Sequence, residues 1–390
     1  MSITNFINKL IEQFYSIADY YLIVLILLVT AFLIQLFYYL FIYSKLLTKK
    51  TQQPENTVQF PVSVVISARN EAKNLETFLP SVLEQKYPKF EVIVVNDCSD
   101  DNSEEILTLL KRKYSNLYVT TIRKDEKFTH GKKLALSIGI KAAKNEWILL
   151  TDADCQPVSE NWIASMQKNF SEKTSVVLAY GGYFKEKSLL NLFVRTDTVF
   201  IAMQYLSFAK IGFPYMGVGR NLAYKKSLYF NNKGFAKHMH IPSGDDDLFI
   251  NEVANKSNSV AELSHDSFTL SVPKKTFSEW FTQKRRHLKT GKLYKKRHKL
   301  LIGSEIFSRF LFYLSLIILF FSLVHLLVIV SAVVFILRTT VLLIVFNKIS
   351  KLFNETKLFA FYIIYDIIQP VFNLSIYLSN RFERRKKRWK

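Results

Sequence analysis

Two aspartates one residue apart end the segment EWILLTDADCQP, residues 146–157, directly after the apolar run Trp147 to Leu150. Neighbouring carboxylates repel each other, and a strand end needs neither of them. Asp152 and Asp154 are therefore either solvated turn residues or holders of a cation. A second acidic group, SGDDDLFI at 243–250, sets Asp245, Asp246 and Asp247 side by side. Helix capping accounts for one of these acids and dipole complementarity for another. Crowding raises the pKa of at least one, which suits a general base working near neutrality. Two further polar places, SARNE at 67–71 and NDCSDD at 96–101, add Arg69, Glu71 and Asp97. Capping explains Ser99 or Asp100 but leaves Asp97 unexplained.

The elements that must position these residues are legible in the pattern. VSVVIS (62–67), EVIVVN (91–96), LYVTTI (117–122) and WILLTD (147–152) read as strands, with helical patterns between them. Apolar strands alternating with helices imply a parallel sheet covered on both faces. Ligands bind such sheets beyond the carboxyl ends of the strands, which is where Ser67–Glu71, Asn96–Ser99 and Thr151–Asp154 fall. Acids gathered in a basic protein imply a divalent cation with a phosphate ligand, and Asp152 and Asp154 suit Mg²⁺ or Mn²⁺. Lys132 and Lys133 open a helix, where amide dipoles and ammonium groups favour phosphate; for Lys133 a solvated helix face is an equal reading.

With these motifs in order, the chain resembles glycosyltransferases of family 2, of the processive cellulose, chitin and hyaluronan synthase-like group. VSVVISARNEAKNL resembles the opening strand and loop, VIVVNDCSDD the nucleotide-binding strand, HGKKLALSIGI the lysine-bearing helix start and ILLTDADC the Asp-x-Asp metal motif. GVGRNLAYKKSLY resembles the acceptor-side loop and SGDDDLFI the base motif, while QKRRH (283–287) stands where processive members carry Gln-x-x-Arg-Trp. The resemblance implies an α/β A-type fold with a mostly parallel nucleotide-binding sheet, joined to transmembrane helices. It implies that Asp97, Arg69 and Glu71 line the nucleotide pocket, with Lys132 and Asp152 completing the nucleotide-sugar site. Asp154 and Asp152 would hold the metal, and Asp246, then Asp245, would be the base, leaving Asp247 as a capping residue. Gly219, Asn221, Gln283, Arg286 and His287 are the expected acceptor contacts. His287 replaces the stacking tryptophan, which points to transfer of few sugars. The glycines of GVGRN lack the third glycine and the strand–helix context of a dinucleotide loop, so they let backbone approach a sugar or acceptor.

Charge and hydropathy place this chemistry at a membrane. Residues 20–43 carry no charge, and 24 helical residues at ~1.5 Å each exceed a ~30 Å hydrocarbon core, so they read as an uncleaved anchor. Only Lys9 precedes this span, whereas Lys45, Lys49 and Lys50 follow it and RFERRKKRWK ends the chain, which puts the central domain in the cytoplasm at the inner membrane. Cys98 and Cys155 are the two cysteines, and no disulfide is expected. The net charge of +21 concentrates beside apolar segments, with eleven Lys/Arg and one acid in 273–300. That arrangement fits anionic membrane lipids; no nucleic-acid motif accompanies it.

The expected organisation is an N-terminal anchor (1–50), a catalytic domain (51–272), basic interfacial helices with QKRRH (273–302), and a C-terminal membrane region with a basic tail (303–390). Residues 303–347 fit two short spans with Arg338 snorkelling, or one long tilted span and a surface helix, and two is the reading kept; 356–380, with Asp366 and Gln369-Pro370, reads as interfacial or re-entrant. The function expected is metal-dependent inverting transfer from a nucleotide-sugar, UDP-sugars favoured, to a lipid-linked or glycan acceptor. Two other readings remain: a nucleotidyltransferase, which lacks its phosphate-binding glycine loop in SARNEAKNL, and a catalytically inactive nucleotide- or lipid-binding scaffold.

Overall fold

A computed structural model of the chain describes residues 19–48, 58–123, 131–322 and 324–382. His130, Lys49, Lys50, the linker before the first strand, the residues before the anchor and most of the basic tail lie outside the described residues.

The chain opens with helix α1 (Asp19–Phe37), extended by a π-helical turn (Tyr38–Ile42) and a 3₁₀ turn (Tyr43–Leu47). The first half of the catalytic fold follows as β1 (Val62–Ala68), α2 (Ala72–Leu83), β2 (Phe90–Asp97), α3 (Ser103–Lys113), β3 (Leu117–Ile122), α4 (Lys132–Ala142) and β4 (Trp147–Leu150). The second half contains β5 (Cys155–Pro157), α5 (Trp162–Gln167), β6 (Val176–Ala179), β7 (Gly181–Tyr183), α6 (Leu189–Lys210), β8 (Leu222–Lys225) and α7 (Lys226–Asn231). It ends with α8 (Asp247–Val253), β9 (Ser259–Glu262), β10 (Thr269–Ser271) and α9 (Phe277–Thr290), before α10 (Lys296–Phe320), α11 (His325–Leu352) and α12 (Phe359–Phe382).

The four strands read from sequence are present and parallel where they pair. The main sheet runs β3-β2-β1-β4-β8-β6-β9, with β8 antiparallel to both neighbours. Continuous β-branched runs in β1 and β2 are buried on both faces, as a helix-covered sheet requires. Register then sets the site: Ala68 lies beside Asn96, and Val65 beside Leu150, so the loops after β1, β2 and β4 emerge at one edge. A small second sheet, β5-β10-β7, continues the chain past that edge.

Four helices are long and apolar enough to cross a membrane: α1 with its extension, α10, α11 and α12. The 303–347 stretch forms α10 and α11, the boundary expected at 302 falls inside α10, and 356–380, read as interfacial or re-entrant, lies mostly in α12, a helix long and apolar enough to span. Arg338 does not snorkel. Its side chain is buried and donates to Asp366 (Nη1 to Oδ2, 2.6 Å) and to Gln35 Oε1 (3.0 Å). Arg309 pairs with Glu305 and Asp366, so a neutral set of two guanidinium and two carboxylate groups joins α10, α11 and α12. A charge in an apolar surround persists only when paired in this way. Helix α12 runs through Pro370 without a break and packs Tyr365 and Phe372 against Phe193 of α6. The membrane helices and the catalytic domain therefore share one core, in which Phe346, Tyr362 and Phe200 meet.

Candidate active site

The loops after β1 and β2 are stapled to each other by short polar side chains. Asn70 and Cys98 adopt left-handed backbone (φ 56° and 53°), turning each chain sharply as it leaves the sheet. Asn70 N–H donates to Ser99 Oγ (2.9 Å), and Asp100 N–H donates back to Asn70 Oδ1 (2.8 Å). Asp101 accepts from Ala72 N–H at the start of α2 and from Ser103 N–H at the start of α3. The acids of NDCSDD thus divide: Asp101 serves the loops, and Asp97 sits buried at the end of β2. Arg69 is exposed beside it. Glu71 is half-buried, and burial, opposed by Asn74, raises its carboxyl pKa, with Asp154 and Asp152 adding to the rise.

Beyond β4, ligand atoms of Asp152, Asp154 and Cys155 lie within 4.8 Å of one another. Two half-exposed carboxylates with one open side fit Mg²⁺ or Mn²⁺, which take few protein oxygens and keep water or phosphate for the rest. Cys155 is buried; that burial and the adjacent Asp154 push its thiol well up, so it donates to Asp154 Oδ1 (3.4 Å) rather than competing as a thiolate. Burial, then Asp152, raises Asp154 as well. Lys132, at the start of α4, bridges Asp152 (2.7 Å) and Asp245 (3.3 Å). Burial would lower its ammonium pKa, but the two carboxylates outweigh burial and hold it well above the ordinary lysine value.

The triple aspartate divides by environment. Burial, then the charges of Asp245 and Asp247, pushes Asp246 up to about 7. It still accepts from Gly219 N–H (2.8 Å) and Asp247 N–H (2.7 Å). Burial acts to raise Asp245 too, but Lys132 overcomes it and keeps that carboxyl below the ordinary range. The N-cap position falls on Asp246, the residue that precedes α8, while Asp247, expected to cap, accepts the next first-turn amide, Leu248 N–H (2.8 Å). Asp247 binds Thr290 Oγ1 and Tyr294 Oη (2.7 Å), tying α8 to the end of α9. Lys133 is neither solvated nor aimed at phosphate. Its ammonium is buried and donates to the carbonyls of His238 (2.6 Å) and Ile241 (3.1 Å), and it lies 3.0 Å from His238 Nδ1, anchoring the loop before the aspartates.

Lys132, Asp152 and the three adjacent aspartates line one end of a cavity of about 490 Å³. Gly219 lines it because a Cβ there would stand 3.3–3.5 Å from Lys132 and the Asp245 and Asp246 carboxylates. Gln283, Arg286 and His287 line the same cavity from α9, and Gln283 Oε1 is buried with no hydrogen-bond partner among the described residues. His287 is an exposed residue at the cavity; the side chains around it, then Arg286 and Lys284, lower its imidazole pKa. Asn221 departs from expectation. Its amide is buried under the sheet, donating to Tyr180 O and Ser267 O (both 2.7 Å) and accepting from Trp162 Nε1 (3.1 Å), so it has no hydrogen bond to offer an acceptor.

Sequence reasoning missed Arg220, Tyr183, Lys284 and Asp197, all on the cavity wall. Arg220 lies over the Tyr183 ring (4.4 Å) with its Nε unpartnered, close enough to oppose the rise of Asp154. Its signal was present in GVGRN, where it stands between the two residues singled out. The Lys284–Asp197 pair joins α9 to α6, a contact 87 residues apart in sequence that no local pattern reveals.

Comparison with known proteins finds similar sequences and a shared fold. Residues 63–229 match the family described as "Glycosyl transferase family 2". A poly-beta-1,6-N-acetyl-D-glucosamine synthase of Staphylococcus epidermidis is 34% identical over 122 residues, covering 30% of this chain and 27% of the relative. The Staphylococcus aureus (strain COL) synthase of the same name is 33% identical over 93 residues, covering 24% and 21%. The match therefore spans about a quarter of the length of these curated relatives. Among solved structures, the mannosyltransferase PcManGT from Pyrobaculum calidifontis, in complex with GDP-Man and Mn²⁺, aligns with a TM-score of 0.62 at 18% identity. It covers 93% of this chain and 99% of its own and shares the fold. From its β1 strand to α7, this chain matches the glycosyl transferase family 2 model, and that region is held against long apolar helices.

Proposed function

We propose that the protein is a membrane-bound inverting glycosyltransferase that takes a nucleotide-sugar, a UDP-sugar first among candidates, and transfers the sugar to a lipid-linked or glycan acceptor at the cytoplasmic face. The observation that carries this reading is Asp246: a half-buried carboxyl with a pKa near 7, in the same cavity as the Asp152–Lys132 pair. Asp97, Arg69 and Glu71 would receive the nucleoside. Asp152 and Asp154 would hold Mg²⁺ or Mn²⁺, which supplies charge neutralisation of the leaving diphosphate when bound. Arg220 and Lys132 add fixed positive charge on the same side.

Asp246 as carboxylate accepts the proton of an acceptor hydroxyl as that oxygen bonds to the anomeric carbon. The bond from that carbon to the diphosphate oxygen breaks, and the electron pair leaves with the nucleoside diphosphate. Attack from the face opposite the leaving group inverts the centre. Gly219 N–H holds the Asp246 carboxylate in place. Lys132 keeps Asp245 ionised, and that charge in turn raises Asp246. Purified protein in lipid nanodiscs with UDP-N-acetylglucosamine, the sugar being that in the relatives' name, and with GDP-mannose as the comparison donor, tests the reading. The expectation is divalent-dependent release of nucleoside diphosphate that excess chelator and Asp154→Asn both abolish. Full turnover in chelator would remove the metal from the account.

A further inference from the structure

The cavity does not stop at the carboxylates. It continues between α6, α10 and α12, past Ile201 and Phe200 to Ile302, Gly303, Ile306 and Phe372. Gly303 lies within α10, where glycine weakens a helix, yet a Cβ built there meets nothing within 4 Å. Packing therefore does not require glycine at this position, and Gly303 belongs at once to the cavity wall and to the exposed face of the helix. Gly303 is itself exposed, and its neighbours on α10, Leu300, Phe307 and Phe310, are exposed large apolar side chains on a helix apolar enough to span a bilayer. Arg286 and Lys299 set two cations along the same passage.

One turn beyond Ile306 the way across the bundle is filled. Glu305, Arg309, Asp366 and Arg338 pair in the space between α10, α11 and α12. Behind them Leu28, Ala31, Phe312, Leu319 and Leu327 form a dry apolar cluster. Whatever enters from the carboxylate end meets packed side chains ahead of it and an open side at Gly303.

We propose that the Gly303 mouth admits, sideways from the bilayer, an anionic lipid whose headgroup hydroxyl reaches Asp246, and that the glycosylated lipid leaves by the same route. This rests on the transferase reading above and narrows its acceptor from any glycan to a membrane lipid. An acceptor of this kind needs only its headgroup inside the protein, and its acyl chains remain among Leu300, Phe307 and Phe310. The two cations meet its phosphate, and apolar walls accept the start of its chains. A growing polymer would instead need a passage across the bundle, where the ion pairs stand.

The full-length protein is reconstituted with a photoreactive diazirine phosphatidylglycerol, and a phosphatidylcholine of the same chains serves as the neutral comparison. Adducts are mapped by mass spectrometry in the wild type, Gly303→Trp, Gly303→Leu and Gly303→Ala. Phosphatidylglycerol adducts are expected on the cavity wall at Phe200, Ile201 and Phe372, falling about tenfold in the Trp and Leu variants. Adducts on the outward face of α1 stay constant, and Ala, whose Cβ has room, labels like the wild type. Equal cavity labelling in Gly303→Trp and wild type, or none in either, overturns the proposal. The same vesicles receive radiolabelled UDP-N-acetylglucosamine, with label expected in the organic extract. Label that collects in water-soluble polymer also overturns it. Cavity adducts that follow Gly303 while no donor tested is consumed leave the lipid passage standing and reject the transferase reading.

Discussion

At the scale of single residues, the account turns on three adjacent aspartates with three fates. Asp246 has its pKa raised to about 7, so transfer is expected to rise as pH increases through about 7 and then level off, because the carboxylate is the active form. Asp246→Asn should lose ~10²–10⁴ in rate with donor affinity nearly intact. Folding adds a second signature. An acid whose folded pKa lies above its unfolded value binds more protons when folded, so its contribution to stability is present at low pH and lost as pH climbs towards 7. Asp246→Asn is therefore expected to melt higher than wild type at pH 8, a direction that removal of an ordinary carboxylate ligand would not give. Sequence alone found the triplet and favoured Asp246, but it gave the capping to Asp247 alone, whereas Asp246 and Asp247 each take one first-turn amide. Local spacing does not say which acid meets Gly219 and which meets Thr290, because both partners arrive from distant segments. The lysine pair shows the same limit. Adjacent helical positions point ~100° apart, so Lys132 meets carboxylates and Lys133 meets carbonyls.

At the scale of elements, long strands with continuous apolar runs were legible, whereas β5, β7 and β10, three residues each, are too short to carry a period. Those short strands close the sheet edge that carries Asp154, so part of the site was invisible for the same reason. Two ties hold the loop of the triple aspartate. Lys133→Met removes the anchor at His238 and Ile241. It should lower the turnover rate, leave nucleotide affinity unchanged and increase proteolytic cutting within residues 236–246. A fall in nucleotide affinity equal to the fall in rate would show instead that Lys133 contacts the donor. On the other side, Asp247→Ala leaves Thr290 Oγ1 and Tyr294 Oη without their carboxylate. Loss of a buried hydrogen-bonded charge of this kind costs about 1–3 kcal/mol, measurable as a lowered melting temperature with α9 loosened in hydrogen exchange.

For the whole molecule, catalytic domain and apolar helices share side chains, so the site and its membrane seat are one structure. Asp366 joins Arg309 and Arg338 across three helices. Asp366→Ala strands the second guanidinium and should cost about 3–5 kcal/mol, read as early unfolding in detergent, whereas replacing partners together costs less. Sequence showed Arg338 and Asp366 only as charges within apolar runs and did not single out Arg309; their pairing needed α12 in position. The side of the membrane is tested with Phe321→Cys, in the exposed turn between α10 and α11, and Lys111→Cys, on α3. An impermeant thiol reagent should label the first in intact cells and the second only after permeabilisation. The most direct measurement of the central claim is paired binding and turnover in nanodiscs for wild type and Asp246→Asn. Nucleotide-sugar affinity is expected to agree within about twofold while transfer falls at least about a hundredfold. Equal transfer by the two proteins would contradict the account and place the base elsewhere.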